Sequence, residues 1–160
     1  MKSFHRIVHI AVVTFLAAFL AVISLQATSQ DAAPIITHAW VKTTVPGSRV
    51  SAAYMSIKSA KPLKLVKAET PVAGLAEIHN MSMKDGVMEM KAMDIVAIPA
   101  NKLVEFKPGG LHVMLMNVAK PIKPGDKVPL VLTFEGADKK PIIVKLDVTA
   151  QDKLTTAHNH

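Results

Sequence analysis

The stretch IHNMSMKDGVMEMKAM, Ile78 to Met93, decides how this chain folds. Asp85-Gly86 lies at its centre. An Asp-Gly pair is the strongest short-range signal for a two-residue β-hairpin, because both central positions of a type I′ turn need positive φ. With that turn in place Lys84 faces Val87, Met83 faces Met88, Met81 faces Met90, and His79 faces Ala92 while lying diagonal to Met90. Alternation along each strand then puts His79, Met81, Met83, Met88 and Met90 on one face. A slip of one residue would undo every one of these pairs.

Working outward, a second stretch repeats the theme. GGLHVMLMN, Gly109 to Asn117, reads as a strand with His112, Met114 and Met116 on one face and Leu111, Val113 and Leu115 on the other. A turn at Pro108-Gly109-Gly110 is expected to set His112 at the mouth of that strand, near solvent. The remaining chain is built of similar short runs: ITHAWVK, SAAYMSIK, LKLVKAE, VMEMKAMDIVAI, KLVEF, KVPLVLTFE and PIIVKLDVT. VPGS, KPGG, KPGD and EGADKKP punctuate them. Strands at this spacing, with Gly, Pro and Asp turns, indicate an all-β sandwich or barrel. One helical turn near Val72 to Ala76 is the sole exception expected, and no internal repeat is present.

The ends of the chain differ from this pattern. Lys2 and Arg6 precede the apolar run Ile10 to Leu25, which gives way to QATSQDAAP. That order of charge, apolar stretch and small residues reads as a secretory signal peptide over residues 1–29, cut after Ala27 or Ser29. The alternative is an uncleaved anchor in the inner membrane. The β domain is expected over residues 30–150, with a flexible His-containing tail over 151–160.

Composition removes several functions. The chain has no cysteine, which excludes a lipid-modified cysteine after the leader, a disulfide framework, thiol redox chemistry and a blue-copper thiolate site. The formal net charge is +7, falling to +5 once Lys2 and Arg6 leave with the leader. The lysines are scattered and aromatics are few, so no nucleic-acid footprint exists.

Methionine is the anomaly. Of nine in the chain, seven lie between Met81 and Met116. Methionine is a flexible core filler, and packing accounts for any one of them taken singly. Yet Val113 and Leu115 already furnish a core face for their strand, and both histidines of the central region occur as His-x-Met: His79-Asn80-Met81 and His112-Val113-Met114. Thioethers are neutral and soft, suited to Cu(I) far better than to Mg²⁺, Ca²⁺ or Zn²⁺, and imidazole adds a stronger donor. Two of each would leave the ion's single positive charge uncompensated, which favours a site near the surface. Packing and ligation both remain open on this reading alone.

The spacing of four residues resembles a known family. Met90 lies beyond ten intervening residues after His79, and His112 beyond twenty-one more, followed by Met114. This resembles the H(M)X10MX21HXM signature of the periplasmic PCuAC copper chaperones. The resemblance runs from about Ile35 to Val148 and includes AWVKTTVPGSRVSAAYMSIKS, IPANKLVEFKPGGLHVMLMN and KPGDKVPLVLTFE. It implies a cupredoxin-like Greek-key β-barrel or sandwich that binds one Cu(I) through His79, Met90, His112 and Met114. It implies delivery of copper to the copper-bearing subunit of cytochrome c oxidase, directly or with a Sco-type thiol protein. Met81 is an auxiliary ligand on this reading, while Met83, Met88 and Met116 fall to packing or the surroundings of the site. His158 and His160, in the terminal HNH, are further auxiliary candidates, suited to Cu(II). His38 is expected to be structural.

The resulting expectation is a periplasmic, monomeric copper chaperone, not an enzyme, with no nucleic-acid partner and no stable membrane insertion after cleavage. A copper buffer or resistance protein without an oxidase partner is the main alternative. A hydrolase is disfavoured because no Gly-x-Ser-x-Gly elbow appears. A plain β-sandwich with a Met-rich core would gain no stability from copper.

Overall fold

The computed structural model describes residues 33–153. They form ten strands: β1 Ile35–Lys42, β2 Val50–Lys58, β3 Leu63–Glu69, β4 Ala73–Lys84, β5 Val87–Ala92, β6 Val96–Ile98, β7 Leu103–Phe106, β8 Leu111–Val118, β9 Lys127–Glu135 and β10 Pro141–Gln151. The all-β expectation holds. The signal peptide at 1–29 and the tail histidines His158 and His160 lie outside the described residues.

Alternation builds the core. In β9, Val128, Leu130, Leu132 and Phe134 are buried at every second position, and in β8 Val113 and Leu115 do the same. These side chains join Ile78 of β4, Ala53, Met55 and Ile57 of β2 and Leu63 and Leu65 of β3 in one cluster. The strand order is β5-β4-β8-β7-β2-β1-β10-β9-β3-β6, with β2 also pairing directly with β8. Because one cluster draws on strands from both halves of that order, the sheet must curl around it. Most neighbours are antiparallel, but β1 pairs β10 in parallel through Trp40–Thr149, Val41–Ala150 and Lys42–Gln151.

The β4–β5 hairpin forms in the expected register. Met83 pairs with Met88, Met81 with Met90 and His79 with Ala92, and Asp85 and Gly86 take φ of 51° and 78°. Two expectations change. The run VMEMKAMDIVAI divides: pairing with β4 ends at Ala92, Met93 donates its N–H to the Ile78 carbonyl at 2.8 Å, and β6 crosses over to pair with β3. An apolar run shows where a strand can form but not where it changes partner. No helical turn occupies Val72 to Ala76, because β4 begins at Ala73 and the chain there is held by pairing with β8. At the other end of the chain, Gln151 closes β10 against Lys42. Its polar side chain carries no strand signal, and the backbone ladder alone recruits it.

A bulge in β1 positions an aromatic residue. Thr37 pairs with Ser56 and Trp40 with Tyr54, so two residues of β1 oppose one of β2. His38 sits in that bulge at φ 53° and is exposed. This is the structural role expected of it.

Candidate metal centre

Central strand β8 lies between β4 and β2, and its face opposite the core gathers the candidate residues. His112 pairs directly with His79 of β4, and Met114 pairs with Glu77 of β4 on one side and Ala52 of β2 on the other. The two imidazole centroids are 5.8 Å apart, with the rings edge-on at 62°. At that separation one ion can bond a nitrogen of each ring, with bonds of about 2 Å.

The hydrogen bonds decide which nitrogens are free. His112 Nδ1–H donates to the Gly110 carbonyl at 2.9 Å. A carbonyl only accepts, so the ring's proton sits on Nδ1 and Nε2 keeps its lone pair. His79 Nε2–H donates to Glu77 Oε2 at 3.0 Å, which leaves the lone pair on Nδ1. That Nδ1 atom is buried and has no partner. A buried acceptor left unmet costs about 1–3 kcal/mol, so it marks a place where something else belongs. Metal-bound histidines usually give their second N–H to a carboxylate or a backbone carbonyl. Here one does each.

Glycine supplies part of this arrangement. Gly109 turns the chain at φ 78°, and Gly110 N–H donates to the Lys107 carbonyl. The Gly110 carbonyl then receives two donors, Met81 N–H at 3.1 Å and His112 Nδ1–H. The turn expected at Pro108 to Gly110 therefore forms, but it does not put His112 near solvent. That ring is 4% exposed, because Tyr54 covers it from β2, ring centroids 6.3 Å apart. Trp40 stacks on Tyr54 at 4.5 Å, and Lys153 Nζ lies 5.0 Å from the Trp40 ring. The only Trp and the only Tyr of the chain thus form one wall beside the histidines. Burial raises the Tyr54 phenol above its usual range, so it stays neutral here.

A cavity of about 260 Å³ opens on this face, lined among others by Ala52, Tyr54, Met81, Met90, His112 and Met114. Met90 is 48% exposed and forms its outer side. The structure therefore brings Met81, Met90 and Met114 to one cavity with His112, and sets His79 beside them, its side chain 13% exposed. Met116 pairs with Leu75 and Val50 farther along β8 and does not line the cavity. Among the described residues no three His, Cys, Asp or Glu side chains are grouped to hold one ion; a site here depends on thioethers.

Two contributors were not expected from sequence. Glu77 was one; a glutamate two residues before a strand histidine shares its face, and that spacing is the signal that could have found it. Its carboxylate also sets a negative charge beside the site, so a bound monocation would not stand uncompensated. Tyr54 was the other, and only the pairing of β2 with β8 reveals it.

Residues 35–146 match the family described as "Putative lipoprotein LpqE-like". The chain is 30% identical over 112 residues to "Putative lipoprotein Lxx21020" of Leifsonia xyli subsp. xyli, covering 68% of this chain and 66% of that protein. It is 31% identical over 87 residues to "Uncharacterized protein RP573" of Rickettsia prowazekii, covering 54% and 48%. The chain thus spans between about half and just under two thirds of these relatives' lengths. Among solved structures, Cu(I)-DR1885 of Deinococcus radiodurans superposes with a TM-score of 0.59 at 30% identity, covering 82% of this chain and 87% of that one. The copper-bound PCuAC domain of PmoF2 gives 0.55 at 19% identity, covering 75% and 100%. The fold is that of these cupredoxin-like domains.

Proposed function

The chain belongs to the LpqE-like family, and from that premise we propose that it is an exported copper metallochaperone whose cargo is one Cu(I). His79 Nδ1, His112 Nε2 and the thioethers of Met90 and Met114 hold the ion, with Met81 as an auxiliary ligand. The observation that carries this reading is the orphaned, buried Nδ1 of His79 opposite His112, beside a cavity walled by methionine sulfur. The donor set is soft and nitrogen-thioether, which selects Cu(I) over hard cations. The 30% identical DR1885 structure is a Cu(I) complex, which supports the same cargo here.

Each residue has a separable task. Glu77 and the Gly110 carbonyl fix the two imidazole tautomers, so that one lone pair of each ring faces the site. Tyr54 and Trp40 exclude water from one side. Met90, at the open side, is the ligand an acceptor protein can replace first. Transfer is ligand exchange: one copper–donor bond forms as another breaks, with no change in oxidation state and no catalysis. The acceptor is the copper-bearing subunit of cytochrome c oxidase, reached directly or through a Sco-type thiol protein, and the compartment is the periplasm. The family and the Leifsonia relative are described as putative lipoproteins, but these 160 residues contain no cysteine to lipidate. The tail histidines His158 and His160 give Cu(II) a second, nitrogen-rich binding segment.

Anaerobic Cu(I) titration against a competing chelator tests the site. One tight equivalent is expected, lost in the double variant His112→Ala/Met114→Ala. Unchanged affinity in that variant would falsify the assignment.

A further inference from the structure

The β4–β5 hairpin continues past the proposed site. One rung beyond Met81 and Met90, Met83 pairs with Met88 on the same face. The two are 67% and 61% exposed and belong to no core cluster. Packing, one of the two roles expected of them beside the surroundings of the site, does not explain them. The opposite face of the hairpin carries Asn80, Ser82, Lys84, Glu89 and Lys91, with Val87 beside the turn as its one apolar residue, and every one of these from Ser82 on is exposed. Polar groups therefore predominate on one face, and from Met81 to Met90 the other face is thioether at all four positions. Strand propensity alone would favour Val, Ile or Thr at such sites, and an apolar contact surface could use any of them. What distinguishes methionine is a soft, neutral sulfur on a flexible stem.

Successive same-face residues of a strand lie about 7 Å apart. Long side chains on neighbouring rungs can therefore meet the same ion in turn. We propose that Met83 and Met88 form a second, exposed Cu(I) station at the end of the hairpin, which receives the ion and passes it one rung inward to Met81 and Met90. The proposal rests on copper being the cargo. At each step a sulfur–copper bond forms as another breaks, the ion remains Cu(I), and no proton moves. The outer pair has two thioethers and no imidazole, so it holds the ion more weakly than the inner site and does not compete with it at one equivalent.

The test is NMR of the full chain with ¹³C-methyl methionine and ¹⁵N-histidine, titrated anaerobically with Cu(I) supplied from a weak chelator. Imidazole shifts at His79 and His112 report the inner site; methyl shifts at Met83 and Met88 report the outer one. The expected result is imidazole shifts through the first equivalent, then Met83 and Met88 methyl shifts through a second, weaker one. In the variant Met83→Leu/Met88→Leu, which keeps the apolar surface, the second equivalent is lost. Imidazole shifts without any response at Met83 and Met88 would overturn the station and leave the chaperone reading intact. Silence at both sets would overturn both. Methyl shifts that follow protein concentration rather than copper would mark the face as a self-association surface and also overturn the station.

Discussion

Two hairpins of this molecule are built by the same rule and serve opposite ends. The β9–β10 hairpin alternates more buried and less buried positions, and its Val128, Leu130, Leu132 and Phe134 are sealed in the core. The β4–β5 hairpin alternates just as regularly, yet all six residues of β5 are exposed and the apolar face is methionine. Period two by itself says only that a strand has two faces. The residue type says what a face is for: branched aliphatics fill a fixed space, whereas thioethers on an open edge keep lone pairs available. Stability should therefore reside in the first hairpin and metal chemistry in the second.

The sharpest way to break that division is Leu132→Ala in β9. Leu132 is fully buried, and truncation of such a side chain costs about 2–5 kcal/mol. Urea unfolding should show that loss, while Cu(I) affinity of the folded protein stays the same. A drop in affinity would mean that core and site are not separable. The next effect is expected at Glu77. Replacing Glu77→Gln keeps an acceptor for His79 Nε2–H but removes the charge, and loss of such a partner typically weakens metal binding about 10–100-fold. Chelator competition measures it, and a thermal melt of the apo protein should barely move. The smallest effect belongs to the hairpin tip. Gly86 holds φ 78° with open space where a Cβ would go, so Gly86→Ala meets no clash and costs only backbone strain, about 1–2 kcal/mol. Because the tip is outside the core, amide exchange at Lys84 and Val87 should accelerate while the global melt changes little.

How much could be read beforehand follows from the same contrast. The pairing of Met81 with Met90 and of His79 with Ala92 was legible because Asp85-Gly86 admits essentially one turn, and a two-residue turn sets register for the whole hairpin. The separation of Val113 and Leu115 from His112 and Met114 was legible from alternation. The direct opposition of His79 to His112 was not, since it depends on β4 pairing with β8 across the 26 intervening residues 85–110, which hold β5, β6 and β7. Burial of His112 was hidden for a similar reason. Tyr54 covers it only because β2 lies against β8, and Trp40 supports Tyr54 only because one extra residue near His38 shifts β1 onto the right face. Glu77 was overlooked because a charged residue on a strand ordinarily marks a solvated face. Beside a strand histidine the same residue becomes the hydrogen-bond partner of its neighbour two positions on.

The Gly110 carbonyl ties these levels together. One oxygen both zips β8 to β4, through Met81 N–H, and parks the proton of the His112 ring. Parting of the two strands at that rung also releases the imidazole to move its hydrogen to the other nitrogen. The donor is therefore primed by the act of folding itself, and a sheet parted at this rung would be chemically blunt before it was visibly unfolded.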